Sequence, residues 1–406
     1  MKHTGRQVFV TGMGAVSCLG TGVLPFWTSL LGGRCGLRPI DRFDLEGSPY
    51  VTGGQVVGME PAPFERSGVS LGAQFAGAAA REAVGGLPPD ARGRLAVVLS
   101  TNFGPSEVLE TLMDGAFRPP QSSAGVRRLA DGPFAWDVDH VAEQVGAGGE
   151  RVNISLSCSS GNAALAHALD LVRCGHTDVA LAGGYDSIQK VTWAGLACMR
   201  VMVAEKEAGG PKVRPFDLRR AGTLFSEGAG AVLLESADHA RARGAEPLAV
   251  VAGAGLNNNA FHMTHADKDG RATAEAILMA LADAGISPDA VDHVNAHGTG
   301  TKLNDAIEAR SLEAVFGERV RRMPVNSIKG GLGHAMGAAS SLEAIACVLT
   351  LREGLIPPTV NYETPDPECN LDVVAGGPRK ADVRTVVNNS AGIGGCNATV
   401  VFTKAS

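Results

Sequence analysis

Apolar residues along the chain fall into short β-rich runs that alternate with segments of helical spacing. Gln7 to Thr11 (QVFVT) is such a run, ending in glycines, and Trp27 to Leu31 lies in the helical segment that follows. The same succession predicts strands over Leu95 to Ser100, Val152 to Ser157 and Asp178 to Leu181, the last closed by Gly183 and Gly184, with a helix over Ala163 to Cys174. Further strands are predicted at Ala229 to Glu235, Ala249 to Gly253, Val291 to Asn295 and Ala398 to Phe402, and helices over Thr273 to Ala284 and Ala306 to Val315. This alternation over the whole length predicts an α/β architecture with parallel-rich sheets. Two stretches interrupt it. Residues 101–150, with Pro119-Pro120, Ser122-Ser123 and a GAGG segment, read as a long excursion, and Glu205 to Pro211 as a surface loop. No linker divides the chain and no repeat of 20–50 residues is visible by eye, which excludes solenoids.

Composition narrows the class. At about 150 residues per domain, 406 residues make two to three domain-sized units. With 45% hydrophobic and 19% charged residues and a mean hydropathy of +0.07, wholesale disorder is excluded. The 53 glycines are nearly twice the usual ~7% and call for many tight turns and close backbone approaches. A net charge of −6 lacks the cationic excess needed on phosphate backbones, so nucleic acid is not expected as a partner. Eight cysteines without a CxxC pair or zinc spacing read as reduced thiols of a cytoplasmic protein without a metal site. The N-terminal run is short and glycine-broken, unlike an export signal, and no stretch reaches the ~18 uncharged apolar residues of a membrane helix.

Five segments are candidates for chemistry. Gly12-Met-Gly-Ala-Val-Ser17 follows a strand and mimics a dinucleotide fingerprint, but Ser17 replaces the third glycine and no ribose-binding acid follows at the right distance, so it reads as a structural turn. Cys158, in Ser-Leu-Ser-Cys158-Ser-Ser-Gly, stands where a β-like run meets a helical one. A helix N-terminus there would favour the thiolate and offer N–H groups to an oxyanion; a buried structural cysteine would suit the same position. His297 ends a strand in a glycine-threonine loop (Val294-Asn-Ala-His297-Gly-Thr-Gly-Thr). Lys329 and His334 flank a glycine loop (Lys329-Gly-Gly-Leu-Gly-His334) that opens into a helix of small residues. With Cys158 these make a Cys/His/His set. Asn389-Ser-Ala-Gly-Ile393-Gly-Gly-Cys396-Asn397 is either a tight turn or a source of a backbone N–H aimed at a thioester oxygen.

In this order and spacing the segments resemble the β-ketoacyl-acyl carrier protein synthases, thiolase-fold condensing enzymes of the elongating ketosynthase type, among them the ketosynthase subunits of type II polyketide systems. The likeness runs from about Val8 to Phe402. It includes Arg214-Pro-Phe-Asp217, Ser226-Glu-Gly-Ala-Gly230, Phe261-His-Met-Thr264, Gly298-Thr-Gly-Thr301 and Ile356-Pro-Pro-Thr359 as well as the chemical segments. It implies a five-layered αβαβα fold of two similar halves, 1–245 with the nucleophilic cysteine and 246–406 with the His/His/Lys set. It also implies decarboxylative Claisen condensation of an acyl thioester on Cys158 with a malonyl-carrier protein. In that scheme His297 and His334 stabilise the enolate formed as CO₂ leaves, Lys329 orients their loop with Glu308 as its carboxylate, and the N–H groups of Cys158 and Ile393 form the oxyanion hole. Phe225, Met199 and Ile393 would line and gate the acyl pocket. Substrates would arrive on carrier-protein phosphopantetheine, with no metal or dissociable cofactor.

Chain-length-factor subunits resemble these enzymes but lack the cysteine, so Cys158 points to the active member. Biosynthetic thiolases share the Gly-Leu-Gly-His pattern but use a second cysteine near the C-terminus, where Cys396 stands. Two departures matter: isoleucine replaces the usual gating phenylalanine in Gly392-Ile393-Gly394-Gly395, and residues 101–150 follow the family poorly. Both favour polyketide or specialised fatty-acyl or polyene biosynthesis over housekeeping synthesis. The rival functions are acyl transfer from Cys158 without decarboxylation, and a non-catalytic partner subunit. Carrier proteins are acidic, so a local basic patch is expected; Arg200, Lys206, Lys212, Arg219 and Arg220 cluster suitably, though a solvated loop would cluster likewise. Relatives are homodimers, or heterodimers with a chain-length factor.

Overall fold

The computed structural model describes residues 5–62, 67–107, 110, 133–206, 210–262 and 267–405. The Pro119-Pro120 and Ser122-Ser123 part of the expected excursion, the middle of the Glu205–Pro211 loop, and Met263 and Thr264 lie outside them.

The principal strands, in chain order, are β1 (Val8–Ser17), β2 (Ala96–Ser100), β3 (Arg151–Ile154), β4 (Val179–Asp186) and β5 (Gly228–Ser236), then β6 (Ala249–Asn258), β7 (His293–Asn295), β8 (Pro324–Asn326), β9 (Thr385–Ala391) and β10 (Cys396–Thr403). They hydrogen-bond in the order β8-β7-β9-β10-β6-β1-β5-β4-β2-β3, with a two-residue strand, Asp372–Val373, beyond β8. The order is a duplication. In the first five strands β1 pairs antiparallel with β5 and β5 with β4, while β4 and β3 flank β2 in parallel. In the second five, β6 pairs antiparallel with β10 and β10 with β9, while β9 and β8 flank β7 in parallel. The two sets meet where Phe9 pairs with Val250 and Val10 with Ala249.

Period-2 alternation along the strands builds the layers. Val97, Leu99, Leu181 and Leu233 face outward into a cluster with helix α2 (Leu71–Ala83), which comes after α1 (Val23–Leu31) in the chain. Their neighbours Ala96, Val98, Ala180, Val232 and Leu234 face inward, into one core with Val386, Val400 and Phe402 of the second set. Two helices fill that shared core: α3 (Ser160–Arg173) through Leu165 and Leu169, and, further along the chain, the helix Ala339–Glu353 through Leu342 and Ile345. Val294, Val325, Val387 and Val401 face the far outer layer of α4 (Arg271–Ala284) and α5 (Lys302–Phe316). The helix Ala339–Glu353, here α6, closes the list of helices that set the five αβαβα layers. It is buried on every side from Ala339 to Leu351, so no polar face marks it in the sequence.

The glycines of Gly12-Met-Gly-Ala-Val-Ser17 do not make the expected turn. β1 runs straight through them, with a bulge between Val10 and Gly12. A Cβ at Gly12 would sit 2.0 Å from the Ala83 carbonyl oxygen, and one at Gly14 1.9 Å from that of Ala79. These glycines therefore let α2 lie directly on the strand. Likewise β4 continues past Gly183 and Gly184 to Asp186 instead of stopping at them.

Candidate active site

In a parallel sheet the side chains that do chemistry collect beyond the carboxyl ends of the strands, and both halves obey that rule. In the first half β2 leads to Asn102, β3 to Cys158, and β4 ends at Asp186. In the second, β7 leads to His297, β8 to Lys329 and His334, and β9 to the loop with Ile393.

Cys158 sits in a four-residue bend between β3 and the N-cap of α3. Ser157 there adopts φ 53°, a left-handed conformation that is rare for serine, and its carbonyl accepts from the Ser160 hydroxyl at 2.6 Å. The opposite wall comes from α6. A Cβ at Gly161 would lie 2.3 Å from Ser341 Oγ, and the Asn162 N–H donates to Ser340 Oγ at 2.9 Å, so the first turns of the two central helices touch. That contact brings the bend carrying Cys158 to the segment carrying His334. The thiol is 7% exposed, and burial pushes it up to about 11, with Lys329's positive charge, the Ile393 N–H and the Asn102 amide acting the other way. Burial is the largest of these influences, and it favours the neutral thiol over the thiolate that a helix N-terminus would favour.

His297 and His334 are both buried, their rings 5.3 Å apart and nearly perpendicular at 82°. His334 Nδ1 accepts from the Met336 N–H at 3.1 Å. His297 Nδ1 faces the Lys329 ammonium at 3.5 Å. Neither partner can accept a hydrogen bond, so each imidazole carries its proton on Nε2. Burial, reinforced by Lys329, holds both histidines well below the usual histidine range, and they are neutral at pH 7.

Lys329 is wholly buried. Its ammonium pairs with Glu343 of α6 and donates to the His297 carbonyl at 2.6 Å. The expected partner, Glu308, is engaged otherwise: it accepts from the N–H groups of His297 (2.7 Å) and Gly298 (2.8 Å) and from the Asn389 amide (2.7 Å). A carboxylate in the second turn of α5 is placed to clamp the loop backbone, whereas α6 carries Glu343 to the ammonium. Glu343 was missed, although a lone acid within the apolar run Leu342 to Leu351 was a signal of a buried ion pair.

A pocket of about 250 Å³ opens onto Cys158, His297 and His334. Phe225 is buried in its wall, its ring 5.7 Å from that of His334. Met199 and Ile393 also line it but are 38% and 40% exposed, at the mouth. The Ile393 N–H lies within reach of the Cys158 sulfur, because the Gly392 N–H bonds the Cys396 carbonyl at 2.7 Å and turns the loop inward. The Cys396 thiol accepts from Asn258 and is not among the lining groups. Among the described residues no group of three or more His, Cys, Asp or Glu side chains is placed to hold a metal ion, and no helix is long and apolar enough to cross a membrane.

Two family descriptions match the sequence, Beta-ketoacyl synthase, N-terminal domain, over residues 135–240 and Beta-ketoacyl synthase, C-terminal domain, over residues 248–363. Nodulation protein E of Rhizobium meliloti (strain 1021) is 37% identical over 409 residues, covering 98% of this chain and 99% of its own. The chain belongs to the beta-ketoacyl synthase family. Solved structures agree. A chain of the ishigamide ketosynthase/chain length factor superposes with a TM-score of 0.91 at 37% identity over 99% of this chain and 100% of that one. A chain from a type II polyketide synthase acyl-carrier protein in complex with its ketosynthase bound to the hexaketide gives 0.89 at 32% over the same shares. The fold is the thiolase fold of these ketosynthases, and the protein is an acyltransferase-type condensing enzyme, a β-ketoacyl synthase.

On this β-ketoacyl synthase the expected basic cluster does not form one surface. Arg220 is 3% exposed, ion-paired with Asp366 and donating to the Asp217 and Lys302 carbonyls, so it is a buried structural cation and unavailable to a partner. Arg219 is half-exposed but paired with Glu363. Arg200 and Lys206 are exposed and Lys212 is half-buried.

Proposed function

We propose that this β-ketoacyl synthase extends acyl chains by decarboxylative condensation in polyketide or specialised fatty-acyl biosynthesis, with Cys158 as the acyl acceptor. The observation that supports this most is the shared tautomer: two neutral imidazoles, each anchored through Nδ1, present two Nε2–H groups in one pocket with the thiol. In loading, the Cys158 sulfur bonds the acyl carbon of a carrier-bound thioester and the proton of its thiol ends on the departing phosphopantetheine thiol. A malonyl thioester then places its carbonyl oxygen against the two Nε2–H donors. As the carboxylate leaves as CO₂, the electron pair enters an enolate that both donors stabilise. Its carbon attacks the acyl-Cys158 carbonyl, whose developing oxyanion meets the Cys158 and Ile393 N–H groups; the C–S bond breaks and the sulfur recovers a proton from water. Lys329 and Glu308 act as positioning residues, one through the His297 ring and carbonyl, the other through the loop backbone.

The reading entails a phosphopantetheine-bearing acyl carrier protein as partner and a cytoplasmic setting. It includes a dimer, formed with an identical chain or with a chain-length-factor subunit. The proposed steps call on no metal or further cofactor, since hydrogen-bond donors supply the electrophile. Phe225, Met199 and Ile393 are assigned to the acyl pocket and its gate, and Arg200, Lys206 and Lys212 to the carrier surface. Residues 1–245 and 246–406 are assigned as the two halves, divided before β6. Intact-mass measurement of the protein with an acyl-carrier protein, then with malonyl-carrier protein, tests the scheme. Acylation that depends on Cys158 and then yields a β-ketoacyl carrier is the expected result. Acylation with transfer to an amine or alcohol and no loss of CO₂ would replace it by acyl transfer, and absence of any adduct by a non-catalytic role.

A further inference from the structure

The duplication identifies a residue that the scheme above leaves out. β2 of the first half corresponds to β7 of the second: each lies in the parallel part of its set, between the counterparts β4 and β9 on one side and β3 and β8 on the other. His297 stands two residues beyond the end of β7; Asn102 stands two residues beyond the end of β2. The side-chain amide of Asn102 lies within hydrogen-bonding reach of the Cys158 sulfur, and among the described residues its Oδ1 is buried without a hydrogen-bond partner. Burying an amide oxygen without a partner costs free energy, and each such group calls for an explanation.

The backbone of Asn102 is held with unusual completeness. Asp186, fully buried at the end of β4, accepts from the Thr101 hydroxyl at 2.7 Å and from the N–H groups of Asn102 and Phe103 at 3.0 Å each. The same carboxylate accepts from the Gly337 N–H at 2.7 Å, in the turn that follows His334 and supplies the Met336 N–H to its ring. A Cβ at Gly337 would lie 2.7 Å from Asp186 Oδ2, so the contact is close as well as hydrogen-bonded. One carboxylate therefore locks the loop facing the sulfur to the loop carrying a histidine.

We infer that Asn102 is a further catalytic residue, an N–H donor to the Cys158 sulfur held in place by Asp186. It acts where that sulfur carries negative charge: as the thiol gives up its proton in loading, and as the C–S bond of acyl-Cys158 breaks and the electron pair returns to sulfur before a proton from water restores the thiol. This rests on the function proposed above.

The test compares the wild type with Asn102→Ala, Asn102→Ser, which keeps a donor, and Asn102→Asp, which adds a charge without adding size. Two readouts are taken: the pH dependence of Cys158 alkylation by iodoacetamide, from the mass of the peptide that carries it, and the rate at which malonyl-carrier protein discharges acyl-Cys158, by intact mass. A hydrogen bond to a charged group predicts that Asn102→Ala raises the alkylation midpoint by about one pH unit and slows discharge about tenfold. Asn102→Ser should shift both less, and Asn102→Asp should raise the midpoint furthest. An unchanged midpoint and discharge rate in Asn102→Ala overturns the inference. A wild type that never takes up an acyl group overturns the function instead, while its alkylation profile still reports on Asn102.

Discussion

The two halves of this molecule share a topology and differ in the loops at the same strand ends. The first half has short, tightly held loops: Cys158 lies four residues after β3, on a left-handed Ser157, and Asn102 two residues after β2, on Asp186. The second half has the ionisable machinery, with His297 on Glu308 and Lys329 on Glu343, and a longer run of twelve residues between β8 and α6. One half therefore presents a thiol and a neutral donor; the other presents two imidazoles kept neutral by burial, with a buried cation acting in the same direction. The likeness supplies the frame, and the loops divide the labour between nucleophile and electrophile.

That division can be tested by removing it one half at a time. Cys158→Ala should cause the largest loss, with no acyl adduct by mass and condensation down by at least about 10³-fold, as when other covalent nucleophiles are removed. His334→Ala or His297→Ala should leave acyl loading nearly intact and reduce decarboxylation about 10²- to 10³-fold, the scale of a lost oxyanion donor; equal losses in both steps would contradict the split. Lys329→Ala leaves Glu343 buried and uncompensated and should cost about 3–5 kcal/mol in urea unfolding. Because His297 and His334 are held below their unfolded value of 6.5, the unfolded chain binds more protons than the folded one as pH falls below it. Stability should therefore decline from about pH 6.5 downward, and condensation should stay flat from pH 8 down to about that value. The smallest effect is expected at the surface: Lys206→Glu should raise KM for the carrier protein a few-fold at low salt and less at high salt, with kcat unchanged.

Much of this was legible in the residues. Apolar runs marked most strands to within a few positions, and the Cys/His/His set stood out because each member ended an element in a loop of small residues. What escaped did so for physical reasons. α6 has no polar face because it lies between the two five-strand sets, and periodicity cannot reveal a helix buried all round. Gly12 and Gly14 looked like a turn because a glycine that admits a helix backbone and a glycine that bends a chain read alike. The family resemblance pairs Glu308 with Lys329, whereas the ammonium is met by Glu343 from another helix. Asn102 and Asp186 carried no signal, since a lone amide and a lone acid gain meaning only from what the fold puts beside them.

By itself the sequence determined the chemical types available, a thiol, two imidazoles and a lysine at loop positions, and the alternation of strand and helix of an α/β fold, because both follow from local side-chain chemistry and spacing. The expected parallel-rich sheet is in fact mixed, since β1, β5, β6 and β10 pair antiparallel. The tertiary structure alone decided the state of those groups: a neutral thiol, two imidazoles protonated on Nε2, and a lysine matched to Glu343. Charge and tautomer depend on burial and on the donor or acceptor a few ångströms away, and here those neighbours come from strands and helices far apart in the chain.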